Sequence, residues 1–171
     1  MTASTTLDTP DGPFTIVADD GVVLASGWTD DVASLLALIH PGLLPGGADV
    51  PAVAESAPEV AGPATAVRAY YTGDPTAVGQ VPVRQRSGPF RQHAWEVLRT
   101  VPAGAPLTYT EYADRAGRPA AVRAAAGACA RNAAALFVPC HRVLRSDGTL
   151  GGFRYGLLIK EALLARERAA A

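Results

Sequence analysis

A thiol and an imidazole stand side by side at Cys140 and His141, inside the run Pro139-Cys140-His141-Arg142-Val143. Cysteine is a good nucleophile only as thiolate. A neighbouring base or cation lowers its pKa from the free value of about 8.5, so the pair suggests nucleophilic catalysis with His141 as the base. On an extended strand led by the apolar run Leu136-Phe137-Val138, adjacent side chains point to opposite faces, and contact between the two needs a turn or an intervening water. The bare pair also fits a buried, inert cysteine. With Cys129 the only other cysteine, a disulfide scaffold and a four-cysteine zinc site are excluded by count.

The elements that must position this pair follow from pattern. Phe90, Ala94, Val97, Leu98 and Val101 recur at helical spacing until Pro102-Ala103-Gly104 stops them. Thr108 or Thr110 can cap a second helix that runs to about Ala116. After Gly117-Arg118-Pro119 a third extends from Ala120 to about Ala130. Helix, Gly-containing turn, helix is a helix-turn-helix pattern. The last helix is nearly all Ala and Gly, and Arg123 is its one large polar residue. Such a thin helix can approach a narrow groove closely, or equally pack in a core.

Toward the amino terminus, Phe14 to Val17 and Val22 to Leu24 read as strands reversed at Ala18-Asp19-Asp20-Gly21, after a turn at Pro10 to Pro13. A helix is expected from Asp30, as its cap, to Ile39 before His40-Pro41, and another around Ala64 to Tyr71. Residues 41–63 read as a long surface connection. With 49% hydrophobic and 18% charged residues the chain can bury a core. No run of 18 apolar residues occurs and the amino terminus is polar, so neither a membrane span nor a secretory signal is expected; the setting expected is the cytoplasm, with both thiols reduced.

The formal net charge of −1 hides a division along the chain. Residues 1–83 carry one basic residue against ten acidic ones, and residues 84–171 carry fourteen basic against six acidic. A polyanion such as nucleic acid suits the second half, although the two halves could also simply attract each other.

Around Pro139 to Val143 the sequence resembles the O6-alkylguanine-DNA alkyltransferases, also called methylated-DNA-protein-cysteine methyltransferases. Further matches are Trp95 to Leu98 with Val101 to Gly104, Thr108-Tyr109 with Glu111 and Ala113, Ala120 to Gly127, Asn132, and Lys160 to Leu164 followed by Glu167. The resemblance spans about residues 90–168, with a looser match at Ala69 to Gly73. It implies an amino-terminal ribonuclease-H-like α/β domain over residues 1–83 and a mainly α, winged-helix-like domain over 84–171 that binds DNA and accepts the alkyl group. It also implies single-use transfer of an alkyl group from O6-alkylguanine in double-stranded DNA, with O4-alkylthymine a second candidate lesion, to Cys140.

By the same resemblance, His141 is the base, acting through a water, and Glu167 orients it. Tyr109 contacts the extruded base and helps protonate the departing guanine, and Asn132 is a structural hydrogen-bonding residue beside the acceptor. Arg123 enters the stack where the nucleotide rotates out, and Thr110, Arg118 and Ser146 touch the DNA backbone. Arg142 is assigned to structural pairing. No metal and no cofactor is called for, and a monomer is expected.

Three departures stand out. Phe153-Arg154-Tyr155-Gly156 replaces a Tyr, a small residue and two glycines, which adds bulk at the pocket edge against large alkyl groups. Ala133 replaces a proline after Asn132, which would loosen the turn, and Cys129 falls on the thin helix as a small packing residue. The alternatives are a non-catalytic alkylated-DNA-binding protein, against which Cys140 argues, a DNA-binding regulator, and a cysteine hydrolase. The regulator leaves Cys140, His141 and Glu167 unexplained. The hydrolase leaves the basic half unexplained.

Overall fold

Asp20 and Gly21 both take positive φ, 46° and 85°, as the two central residues of a tight hairpin. They join β2 (Gly12–Asp19) to β3 (Val22–Gly27), two antiparallel strands that close on the pair Asp19–Val22. A strand not expected from the sequence precedes them: β1 (Thr2–Thr9) pairs with β2 along its whole length. Its threonines hid it from a search for apolar runs, yet they are β-branched and suit a sheet, and the Thr6 and Thr15 hydroxyls meet across the strands at 2.7 Å.

The structure, a computed structural model, describes residues 1–44 and 49–171. It divides the chain into Met1–Arg86 with Ala133–Phe137, and Ser87–Asn132 with Val138–Ala171. The segment Ala133–Phe137, which sequence reasoning grouped with the second half, belongs to the first unit for a backbone reason. Ser26 N–H donates to the Ala133 carbonyl (2.9 Å), Ala135 N–H donates to the Ser26 carbonyl (3.2 Å), and the Ser26 hydroxyl donates to the Ala135 carbonyl (2.8 Å).

In the first unit α1 (Val32–Leu36) is capped by Asp31 rather than Asp30, and it is shorter than its periodicity suggests; turn hydrogen bonds carry the chain on to Ile39. Leu35 and Ile39 pack with Val17, Leu24, Ala25 and Ala133. The connection 41–63 is more than surface: Ser4 N–H donates to Pro51 and Val53 N–H donates to Ser4, which adds a short parallel pairing to β1. Residues 45–48 of that expected connection lie outside the described residues. Helix α2 (Ala61–Tyr71) starts three residues earlier than expected, and its Tyr71 hydroxyl accepts from Trp28 Nε1 at 2.9 Å and donates to Asp11 at 2.8 Å.

The second unit begins with α3 (Pro89–Leu98), where proline occupies the first turn and forfeits no helical hydrogen bond. Strand β4 (Leu107–Thr108) leads into α4 (Tyr109–Arg115), whose cap is Thr108, accepting from Glu111 N–H at 3.1 Å. At its far end Gly117, with φ 85°, lets Arg118 N–H return to the Ala113 carbonyl and Gly117 N–H to that of Asp114. Helix α5 (Val122–Ala130) then starts two residues later than expected. Trp95 Nε1 donates to the Ala128 carbonyl (2.8 Å) and the Tyr112 hydroxyl to that of Ala94 (2.7 Å), so α3 holds both helices of the pair.

After a 3-10 turn at Cys140–Arg142, β5 (Val143–Leu144) pairs parallel to β4, and α6 (Leu157–Ala170) ends the chain. The buried face of α6 holds Lys160, Leu163, Leu164 and Glu167, at the i, i+3, i+4, i+7 spacing of a packed helix. Charged residues occupy both outer positions of that stripe, which is why hydrophobic periodicity did not disclose it. Among the described residues the fold is mixed α/β, and no helix is long and apolar enough to cross a membrane.

Candidate active site

Cys140 opens a 3-10 turn and is buried, in place of the extended strand that the apolar run before it suggests. The alternation that would set it against His141 therefore does not apply. Pro139 leads into the turn with its φ already restricted, and Cys140 N–H donates to the Val138 carbonyl (2.8 Å) while Arg142 N–H donates to that of Pro139 (3.0 Å). The first two residues of the motif beyond Pro139 are thus presented from one tight turn of backbone.

His141 is fully buried, with Nε2 2.6 Å from Glu167 Oε1 on α6. Arg142 grips the same carboxylate: Nε donates to Oε2 at 3.0 Å and Nη2 to Oε1 at 2.9 Å, while Nη1 donates to the Val101 carbonyl at 2.7 Å. Burial alone would push Glu167 up. The hydrogen bonds and charges of His141 and Arg142 overcome it and hold the carboxyl at about 2. An ionised carboxylate only accepts, so His141 Nε2 carries the hydrogen and Nδ1 carries the lone pair. Nδ1 is buried and makes no hydrogen bond among the described residues. Burial also lowers the pKa of His141 below 6.5 against the pull of Glu167, which leaves the ring neutral and basic near neutral pH.

Burial pushes the Cys140 thiol up, opposed in turn by a hydrogen bond from Asn132, the positive charge of Lys160, a hydrogen bond from the Cys140 backbone and, least, the positive charge of Arg154. Asn132 is buried at the end of α5, and its Nδ2 also donates to the Val138 carbonyl at 2.8 Å. One side chain thereby ties the helix end to the turn that carries the thiol. Ala133, expected to loosen this corner, instead donates its N–H to Gln85 Oε1 at 2.9 Å, a bond that proline could not make.

Tyr109 lies at the head of α4. Burial first, then the charges of Cys129 and Cys140, push its phenol up to about 12, so it remains a proton donor near neutral pH. Gly151, at φ 70°, makes room for it: a Cβ there would fall 3.3 Å from Tyr109 Cε2 and 3.4 Å from Arg145 Cγ. The pocket-edge departure is in the same unit, where the rings of Phe153 and Tyr155 meet edge to face at 5.8 Å. Cys129 is half-buried on α5, and desolvation pushes its thiol well up.

The remaining residues singled out in the sequence lie on exposed positions. Arg123 is exposed near the start of α5. The hydroxyls of Thr110 and Ser146, 36 positions apart, meet at 2.8 Å, and the Arg118 guanidinium lies over the Phe90 ring, 4.8 Å from its centre. Gly127 on α5 is not demanded by packing, since a Cβ there would meet only Arg91 Nη2 at 4.0 Å.

Sequence reasoning gave no role to Lys160. It is fully buried and donates to the carbonyls of Val143 (2.8 Å) and Gly152 (3.4 Å), which fastens α6 to the strand after the thiol turn and to the loop that carries Phe153 to Gly156. One signal was available. Lys160 is the single lysine among fifteen basic residues, and a compact ammonium satisfies two converging carbonyls where a planar guanidinium would not fit as readily.

A family model described as the DNA binding domain of 6-O-methylguanine DNA methyltransferase matches residues 89–169. The methylated-DNA–protein-cysteine methyltransferase of Shigella flexneri is 31% identical over 160 residues, covering 93% of this chain and 91% of that protein. The bifunctional transcriptional activator/DNA repair enzyme Ada of Escherichia coli is 48% identical over 87 residues, 51% of this chain; the match takes in only 25% of Ada's own length. The crystal structure of Mycobacterium tuberculosis OGT in complex with DNA matches with a TM-score of 0.76 at 28% identity, covering 99% of this chain and 94% of that one.

Proposed function

This chain belongs to the methylated-DNA–protein-cysteine methyltransferase family, and on that premise we propose that it repairs DNA by moving an alkyl group from guanine O6 onto Cys140, once per molecule. The observation that carries the reading is the buried chain Arg142–Glu167–His141, whose histidine directly follows the thiol in sequence and whose basic Nδ1 has no hydrogen-bond partner among the described residues.

The chemistry follows from that arrangement. A thiol that burial keeps protonated must lose its proton as it attacks, and His141 Nδ1 takes it through a water while Glu167 stabilises the imidazolium that forms. The sulfur then bonds to the alkyl carbon as the bond from that carbon to O6 breaks. The electron pair passes to the purine, and Tyr109 supplies the proton that lets it leave as guanine. Asn132, Lys160 and Arg154 stabilise the developing thiolate. The product is a thioether, which no group in this mechanism reopens, so the protein is consumed. Every bond made or broken is accounted for by the side chains and the damaged base, and the step as written draws on no cofactor or metal.

In this reading the first unit has the ribonuclease-H-like arrangement, and residues 84–171 form a winged-helix-like domain that binds duplex DNA as a monomer in the cytosol. The α4–α5 pair and the small β4–β5 ladder support that assignment. Helix α5 enters a groove with its small side chains, which explains a glycine that internal packing does not require. Arg123 fills the stack left by the extruded nucleotide, and Thr110, Ser146 and Arg118 meet the backbone.

Incubation with duplex DNA containing one O6-methylguanine tests the proposal. The peptide carrying Cys140 should gain about 14 Da, one methyl group per protein molecule, with guanine restored in the DNA. Binding to the lesion without a mass change would make it a non-catalytic reader instead, and repeated turnover on an ester or amide would make it a hydrolase.

A further inference from the structure

Helix α5 has nine residues, no side-chain cap at its start and no basic residue in its own last turn. The carbonyls of its last turn need donors from beyond the helix itself. Gly127 accepts from Arg131 N–H (3.0 Å), Cys129 from Asn132 N–H (3.3 Å) and Ala128 from Trp95 Nε1 (2.8 Å). The fourth, that of Ala130, accepts from Arg154 Nη2, 24 positions away on the pocket-edge loop. The Arg154 guanidinium adds to the C-cap residue Arg131 a second cation at the negative end of the helix dipole.

We propose that Arg154 is a positioning residue for the transfer reaction: its guanidinium clamps the pocket-edge loop to the carboxy-terminal end of α5 and places a fixed positive charge toward the acceptor thiol. The role in transfer rests on the function proposed above. The clamp and the charge do not.

Two features of the site give the clamp its consequence. Phe153 and Tyr155 flank Arg154 and form the edge-to-face pair on the loop, so fastening Arg154 fixes both rings relative to the helix that would meet DNA. The Cys140 thiol, pushed up by burial, is drawn down by the Asn132 hydrogen bond, by the charge of Lys160 on α6, by its own backbone N–H and, in smaller measure, by the charge of Arg154; the other titratable groups coupled to it are Cys129 on α5, Tyr109 and Tyr112 on α4, and Tyr155 on the loop. Lys160 is committed to two carbonyls, whereas Arg154 is exposed and can be altered without leaving a buried charge unpaired. Ala130 is exposed too, so water can satisfy its carbonyl when the arginine is removed, and the variants should fold.

Three variants of the full chain separate clamp from charge. Arg154→Lys keeps a donor and the charge, Arg154→Gln keeps a donor alone, and Arg154→Ala keeps neither. The first readout needs no DNA: the rate at which iodoacetamide alkylates Cys140, followed by peptide mass across pH. Loss of the positive charge should slow alkylation about two- to fivefold near neutral pH and move the half-maximal rate to higher pH in the Gln and Ala variants, with Lys close to the parent. The second readout is single-turnover methyl transfer from lesion-bearing duplex. There Ala should be slowest, Gln intermediate, and Lys nearest the parent. Superimposable pH profiles for all four proteins would overturn the electrostatic part, and equal transfer rates for the parent and Ala would overturn the clamp. A parent protein that never transfers methyl refutes the proposed function, while its iodoacetamide profile still decides the charge assignment.

Discussion

Glu167 Oε1 lies 2.6 Å from His141 Nε2 with neither side chain open to solvent, and the guanidinium of Arg142, the next residue in the chain, closes on both oxygens of the same carboxylate. One carboxylate therefore serves two purposes. It fixes the tautomer of the proposed base, and it neutralises a cation that the fold has taken out of water. A buried pair of this kind is weak evidence for stability compared with an apolar packing, but breaking it from one side is costly because the remaining charge is stranded.

Glu167→Gln should therefore fail on two counts. Methyl transfer should slow by about 100-fold or more as the imidazolium loses its counter-charge, and the folded state should lose about 3 kcal/mol because Arg142 stays buried without an anion. Single-turnover kinetics and urea unfolding measure the two effects. A variant as fast and as stable as the parent would remove Glu167 from both roles.

The same residues set an acid limit. Folding lowers the pKa of His141 below 6.5 and that of Glu167 from 4.5 to about 2, so the unfolded chain takes up protons first as the pH falls. The contribution of His141 is complete above 6.5 and declines below it; that of Glu167 is complete above 4.5 and is lost as the pH falls toward 2. Thermal midpoints measured from pH 8 down to pH 3 should hold level at first, then fall beneath about 6.5. Glu167→Gln should flatten the lower part of that fall.

Asn132→Ala removes the donor shared by the Val138 carbonyl and the Cys140 thiol. The loss expected is about 1–3 kcal/mol for a buried acceptor left without its partner. Alkylation of Cys140 should also require higher pH. An unchanged pH profile with reduced stability would confine Asn132 to scaffolding.

Gly127→Ala should separate folding from binding. The added Cβ meets only Arg91 Nη2, at 4.0 Å, and alanine is the better helix former, so the protein should gain about 0.5–1 kcal/mol. Duplex affinity should fall several-fold at fixed salt if α5 lies tight against a groove. Equal affinity would place that helix elsewhere.

Tyr155→Gly should widen the pocket edge. The ratio of benzyl to methyl transfer, which cancels general losses of stability, should rise about tenfold. No change in the ratio would show that the ring paired with Phe153 does not limit alkyl size.

What could be read directly from the chain was the part of the protein written in neighbouring residues. The Cys140-His141 pair, the hairpin turn at Asp20-Gly21, a cap at Thr108 or Thr110, of which the structure uses Thr108, and the Gly117 stop each act through backbone or side chains a few positions apart, so type and spacing suffice to disclose them. Strand β1 escaped because threonine buries well in a sheet only once a partner strand is present. Helix α6 escaped because its inward stripe begins and ends with ions, Lys160 and Glu167, whose burial is tolerable only when Val143, Gly152, His141 and Arg142 arrive to meet them. The bond from Arg154 to Ala130 likewise needs two segments brought together by folding. Local chemistry singled out the thiol and the neighbouring imidazole as candidates. Long-range packing alone decided which buried charges surround them, because a charge can leave water only where distant parts of the chain supply its partners.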